Sequence, residues 1–253
     1  MPNVPSLLRR MLNARRYGVV FVRDRWFRMP RKIKLGSKWI GLSYPEEEGV
    51  LFDFITCVVR DEYGLGSCPT EPATILDIGA NIGLFALAAR GRFPQAAIHC
   101  YEPNPRALAY LTANAQAGRI TVYSEAVGAE NGRVRIIDTS DSNQATTIDV
   151  AGDAIPGDGI PKVAFEVAVK RLGNVDLLKL DCEGAEWELF LAREAWRKVR
   201  ELRMEYHLTN NRTVAEVKDS LAALDFSITR FAEGPGFGSV WATNRRAQAP
   251  PLK

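Results

Sequence analysis

No stretch of this 253-residue chain approaches the roughly 18 consecutive apolar residues that a membrane-spanning helix needs. Near the start, Arg9, Arg10, Arg15 and Arg16 interrupt the apolar segment a secretory leader would require, so a cytoplasmic protein is the expectation. Cys57, Cys68, Cys100 and Cys182 show no CxxC spacing, which argues against a zinc site and against a disulfide framework. Cys100 and Cys182 stand in or beside apolar strand-like runs and read as small core residues. Repeats and low-complexity tracts are missing, and so is any nucleic-acid-binding motif.

What is present is an ordinary globular composition, 46% hydrophobic and 25% charged, long enough for one generous α/β domain with or without an accessory segment. The net charge of +3 is unevenly spread, with eleven Lys and Arg before Pro45 against one Asp. Phe21, Trp26, Phe27 and Trp39 are interleaved there. Such a segment either docks on an acidic substrate, a lipid surface or a partner, or packs its aromatics on the next domain and leaves its arginines solvated. The second reading is preferred.

Residues 1–72 therefore read as a basic N-terminal extension packed on a core formed by residues 73–253. Within it, Lys32 to Leu35 and Trp39 to Leu42 suggest a hairpin turning at Gly36-Ser37, and a helix is expected from Glu46. From Ala73 the pattern changes to short apolar strands alternating with helices. The strands are Thr74 to Ile78, Ala97 to Tyr101, Ile120 to Tyr123, Val175 to Leu180 and Leu202 to Tyr206. Helices are expected at Leu84 to Ala89, Pro105 to Ala117, Ala185 to Leu191 and Val214 to Leu224, followed by a terminal strand pair. This alternation implies parallel βαβ units in a sheet covered on both faces. Asp138 to Asp158, rich in Ser, Thr, Asp and Gly, reads as a loop insertion or lid.

Where the first of these strands meets its helix stands Asp77-Ile78-Gly79-Ala80-Asn81-Ile82-Gly83. Glycines there let the backbone turn tightly and approach a ligand, and Glu102, about 20 residues on, is placed to bind both ribose hydroxyls. A dinucleotide would set its pyrophosphate beside the Asp77 carboxylate, a repulsion of several kcal/mol relative to a cationic ligand in a partly dry cleft. The sulfonium and ammonium groups of S-adenosylmethionine suit that carboxylate better.

Four segments, ILDIGANIGLFAL, YEPNP, EAVGAENGRVRI and LLKLDCEGAEWELF, resemble the FkbM family of S-adenosylmethionine-dependent methyltransferases. The resemblance runs from about Thr74 to Asn244, and the KLDCEGAEWE element is its most specific part. It implies an α/β, Rossmann-like class I methyltransferase fold, with a mostly parallel seven-stranded sheet and an antiparallel final strand. It also implies that Asp77, Gly79, Ala80, Asn81 and Gly83 line the methionine and ribose, that Glu102 holds the ribose, and that Glu125, Ala126 and Val127 flank the adenine. Members of the family act mostly on hydroxyls of sugars, polyketides and related secondary metabolites. O-methylation of a small-molecule or glycan acceptor, as in natural-product biosynthesis, is the implied activity, with S-adenosylhomocysteine as product.

Ligands of open α/β sheets sit beyond the carboxyl ends of the strands. Alternation along a strand lets Asp181 and Glu183 point one way at the end of one strand, and Glu205 with His207 at the end of another. His207 is the preferred general base because its ordinary pKa lies near neutrality, with Asp181 second or orienting the acceptor. Asp181 would also touch the cofactor. These carboxylates with an imidazole suit a divalent cation such as Mg²⁺, but nothing in the spacing demands one, so no metal is expected. Glu186 and Glu188 read as decoration of a helix and Trp187 as packing. A homodimer is allowed, and nucleic-acid partners and membrane spans are not expected. Two competing readings remain: an NAD-dependent oxidoreductase on the same loop, which Asp77 disfavours, and a catalytically silent scaffold.

Overall fold

The structure, a computed structural model, describes residues 6–21, 27–137, 146–150 and 159–246. Helix α1 (Ser6–Arg16) precedes a hairpin of β1 (Lys32–Leu35) and β2 (Lys38–Gly41), which turns at Gly36. Helix α2 (Glu48–Phe54) runs straight into a π-helical stretch, Ile55–Arg60, stopped by Asp61 in the left-handed region (φ 53°). The carboxylate of Asp61 then accepts hydrogen bonds from the Leu65 and Gly66 amides at 2.7 and 2.8 Å, fixing the turn into the first sheet strand. Trp26 lies outside the described residues.

Next come β3 (Thr74–Ile78), α3 (Leu84–Arg92), β4 (Ala97–Tyr101), α4 (Pro105–Gly118) and β5 (Thr121–Tyr123). Asn104 caps α4 by accepting from the Arg106 amide, with Pro105 at its first position. Beyond them lie β6 (Ala126–Gly128), β7 (Gly132–Ile137), β8 (Thr146–Asp149), β9 (Ile160–Ala164) and α5 (Phe165–Lys170). The chain closes with β10 (Val175–Leu180), α6 (Glu186–Leu189), α7 (Arg193–Trp196), β11 (Val199–His207), α8 (Val214–Ala223), β12 (Phe226–Glu233) and β13 (Phe237–Asn244).

Seven strands form the central sheet in the order β12-β13-β11-β10-β3-β4-β5. Strands β3, β4, β5, β10 and β11 are parallel, while β13 runs antiparallel between β11 and β12. This is the class I methyltransferase sheet. Its strand order reverses between β3 and β10, and there the crevice at the carboxyl ends opens. One buried cluster covers one face, joining Ile75, Ile98 and Leu87 to Tyr17, Phe27 and Ile33 of the N-terminal segments. The other face carries Trp196, Phe165, Leu178 and Leu202. Tyr17 adds a hydrogen bond from its hydroxyl to the Ala88 carbonyl at 2.9 Å, and Phe27 stacks on Phe54 at 5.7 Å.

Two expectations are corrected. The interval read as a loop contains β8, which pairs antiparallel with β7 in a second, four-stranded sheet of order β6-β9-β7-β8; residues 138–145 and 151–158 lie outside the described residues. The helix expected from Ala185 to Leu191 is the single turn α6, followed by the separate turn α7.

Candidate active site

A cavity of about 720 Å³ opens at the reversal point, walled by the loop after β3, the ends of β4, β10 and β11, and helix α2. The loop after β3 is held by its backbone: Gly79 and Ala80 both donate to the Tyr101 carbonyl at 3.1 Å. Gly79 is obligatory on two counts. Its φ is +74°, and a Cβ there would lie 1.7 Å from the Asp181 carbonyl oxygen. Asn81 also sits in the left-handed region (φ 46°) and, with Ala80, faces the cavity.

Glu102 is buried at the end of β4. Its two carboxylate oxygens accept from the Asn81 amide at 2.7 Å and the Asn104 amide at 2.8 Å. Burial raises its pKa to about 7, although both amides pull the other way. The amides fix the carboxyl in one orientation, and its remaining lone pairs are free to meet a pair of ribose hydroxyls. Glu102→Ala should therefore cost about 10- to 100-fold in S-adenosylhomocysteine affinity, the worth of charge-assisted hydrogen bonds. Unchanged calorimetric affinity would remove Glu102 from the cofactor site.

Glu125, Ala126 and Val127 also line the cavity. Arg171 clamps Glu125 at 2.5 Å and lies over the Tyr123 ring at 4.2 Å, which itself stacks on Tyr101 at 4.7 Å.

The remaining glycine-loop positions behave differently from their expected roles. Gly83 is not on the cavity wall; it caps α3, and a Cβ there would press on Leu111 at 2.8 Å. Asp77 is fully buried behind the loop and does not present its charge to the cavity. Its Oδ1 lies 3.5 Å from Lys179 Nζ, which also sits 3.3 Å from Asp181 and donates to the Gly79 carbonyl at 2.5 Å. Burial disfavours the Lys179 charge, yet Asp181 and Asp77 outweigh it and hold the ammonium protonated. Burial in turn raises the Asp77 pKa against the pull of Lys179. Asp77 thus acts through Lys179, which ties the β3 loop to the end of β10.

Asp181, Glu183, Glu205 and His207 do converge. Asp181 accepts a hydrogen bond from the Tyr63 hydroxyl at 3.0 Å. His207 Nε2 lies 3.4 Å from Glu183 and 3.6 Å from Glu205, and its Nδ1 lies 3.3 Å from Glu186. Far from decorating a helix, Glu186 is buried, accepting from the Cys182 and Gly184 amides at 3.0 Å each. Glu188 is half exposed, and Trp187 packs, donating from Nε1 to the His207 carbonyl at 2.7 Å.

This company weighs against the role expected of His207 as general base. Burial works against its charge, but hydrogen bonds to Glu186 and Glu205 and the field of Glu183 raise its pKa to about 11. The shift favours the imidazolium, which has no lone pair to accept a proton. The tuned group is Glu183, whose pKa burial and the neighbouring carboxylates raise to about 7 despite His207. Glu183 also holds a left-handed backbone (φ 52°) next to Gly184 (φ 104°), local strain of the kind stored at functional sites. Burial likewise raises Glu205. One ligand atom each from Asp181, Glu205 and His207 lie within 4.8 Å of one another, so the same group has the donor set of a divalent-cation site.

Eight carboxylate residues line the cavity against Lys179 and His207, and both cations are already engaged by carboxylates. That acidic excess fits a cationic sulfonium and ammonium and repels a pyrophosphate. The Methyltransferase FkbM domain family matches residues 77–228, more than half of the chain. The chain belongs to this family. Its domain is that of an S-adenosylmethionine-dependent methyltransferase.

Among relatives of this FkbM-domain chain, the 31-O-demethyl-FK506 methyltransferase FkbM of Streptomyces tacrolimicus is 26% identical over 168 residues, 53% of this chain and 65% of that protein. The 2-O-methyltransferase NoeI of Sinorhizobium fredii is 28% identical over 151 residues, 52% of this chain and 62% of its own length. Less than two thirds of either relative is thus spanned. The solved structure of magnesium protoporphyrin IX methyltransferase from Synechocystis PCC 6803 superposes with a TM-score of 0.44 at 14% identity, over 80% of this chain and 86% of that one. Among the described residues, no helix is long and apolar enough to cross a membrane.

Sequence reasoning missed Tyr63, Lys179, Asp53 and Phe237, all of which line the cavity. Lys179 alone left a trace, as the one cation inside the apolar run Val175-Asp176-Leu177-Leu178-Lys179-Leu180.

Proposed function

We propose that this protein transfers a methyl group from S-adenosylmethionine to a hydroxyl of a sugar, glycan or natural-product scaffold. The observation that carries the proposal is that one cavity joins the ribose-holding carboxyl of Glu102 to a carboxylate with a near-neutral pKa, Glu183. When bound, S-adenosylmethionine supplies a methyl on a positively charged sulfur, which needs a positioned oxygen more than it needs an activated leaving group. Glu102 and the loop from Gly79 to Asn81 hold the nucleoside, and Val127 offers it an apolar wall. Glu183 accepts the proton of the acceptor hydroxyl. His207, charged and held by Glu186, keeps Glu183 and Glu205 in place and offsets their repulsion. Asp181, fixed by Tyr63 and Lys179, turns its other oxygen toward the acceptor. One relative is a 31-O-demethyl-FK506 methyltransferase and the other a 2-O-methyltransferase, which supports the choice of a hydroxyl acceptor.

Calorimetry with S-adenosylhomocysteine and with NAD, followed by an acceptor screen using isotopically labelled methyl donor, tests the reading. Tight NAD binding without homocysteine-nucleoside binding would replace it with an oxidoreductase. The rate should climb about tenfold per pH unit below pH 7 and level off above it, because the proton acceptor works only when ionised. A rate that falls as pH rises through 7 contradicts the base. Chelation with EDTA should leave turnover unchanged. Loss of activity restored by Mg²⁺ would instead assign Asp181, Glu205 and His207 to a divalent cation.

A further inference from the structure

Helix α1 turns one face inward and leaves another uncovered. Ala14 is fully buried, Asn13 donates to the Val59 carbonyl at 3.1 Å, and the adjoining Tyr17 is anchored on α3 through the Ala88 carbonyl. The outward arc carries Leu7, Leu8, Met11 and Leu12, each 43 to 55% exposed. These fall at spacings of one, three and four, which places them side by side on the helix surface. Just past the helix, Val20 is 84% exposed, and Trp39 of the hairpin lies against Gly18 with more than half its surface open.

The charged groups that the helix itself carries have a single sign. Helix α1 contains four arginines and no acidic residue, and Arg9, Arg15 and Arg16 are exposed. A second copy of the chain is a poor cover, because pairing two such faces would bring both sets of arginines together. An apolar arc with cationic shoulders and a neighbouring tryptophan instead matches the layering of acyl chains under phosphate headgroups. We propose that α1 is a membrane-surface docking element, laying Leu8 and Leu12 into an anionic phospholipid leaflet while Arg15 and Arg16 engage lipid phosphates. The helix lies on this surface and does not span the bilayer. The inference is independent of the reading of the cavity.

Flotation of the full-length protein with phosphatidylcholine vesicles, with and without phosphatidylglycerol, tests it. The protein should bind the anionic vesicles only, and raised salt should release it. Arg15→Gln with Arg16→Gln should weaken that partitioning about 25-fold, a factor of about five for each arginine. Leu8→Gln with Leu12→Gln should weaken it at least tenfold. All four side chains are exposed, so both variants should keep the wild-type circular dichroism spectrum and melting temperature, which certifies their fold. Failure to float with anionic vesicles overturns the proposal, as does equal binding to neutral ones. It is also overturned if Leu8→Gln with Leu12→Gln turns a dimer into a monomer and leaves vesicle binding unmoved.

Discussion

Glu183→Gln should lower kcat by two to four orders of magnitude, about the contribution of a well-placed general base, while S-adenosylhomocysteine affinity stays within about twofold. The amide is isosteric and keeps a partner for His207, so the left-handed turn at Glu183-Gly184 survives while the proton acceptor is lost. His207→Gln provides the contrast. Removing the imidazolium takes away the charge that holds the Glu183 and Glu205 carboxyls down, which raises their pKa values further and shifts the pH–rate profile upward. A base at His207 would give the reverse pattern, with Glu183→Gln nearly silent and His207→Gln inactive at every pH. Single-turnover rates over pH 5 to 9 with a competent acceptor separate the two.

That contrast also marks how far the sequence could be read. Strands β3, β4 and β10 are legible because each is a largely apolar run, and β11 because Leu202, Met204 and Tyr206 alternate with charged residues. The small sheet is not: β6 has three residues, and β7 and β8 alternate polar and apolar over stretches rich in turn formers. Their pairing partners lie well apart in the chain, beyond the reach of a local pattern. At the site, Glu102, Asp181, Glu183, Glu205 and His207 were locatable because each sits at the carboxyl end of a strand, where topology alone brings them together. Their protonation states were not, since the charge on His207 depends on Glu186, which one helical turn folds in behind it. Tyr63 and Asp53 come from the N-terminal segments, whose contact with the sheet has no local signature.

Lys179→Met should destabilise the protein by about 3–5 kcal/mol, the cost of breaking a buried ion pair by deleting one partner. Lys179 is almost completely buried, and it is the cation beside both Asp77 and Asp181. Asp181 retains the Tyr63 hydroxyl, but Asp77 keeps only a long contact from the Cys100 thiol, and its Oδ1 has no hydrogen-bond partner. A carboxylate so placed escapes its desolvation cost by taking a proton, so the deficit should depend on pH. Burial already holds the Asp77 pKa above its ordinary value, and losing Lys179 raises it further. A carboxyl with a raised folded-state pKa binds protons more tightly when folded, so its contribution is favourable at acid pH and is lost as pH rises through that pKa. Denaturant melts should therefore show the gap between Lys179→Met and wild type narrowing from pH 8 to pH 5. A gap that is constant across this range would mean that Asp77 is not ionised beside Lys179 and that packing, rather than the ion pair, joins β3 to β10. Lys179→Met with Asp77→Asn should recover much of the loss at pH 8, because the amide carries no charge to desolvate. If it also restores S-adenosylhomocysteine affinity, Asp77 serves the cofactor only by positioning the loop at Gly79. If stability returns and affinity does not, the paired charge itself contributes to holding the sulfonium donor.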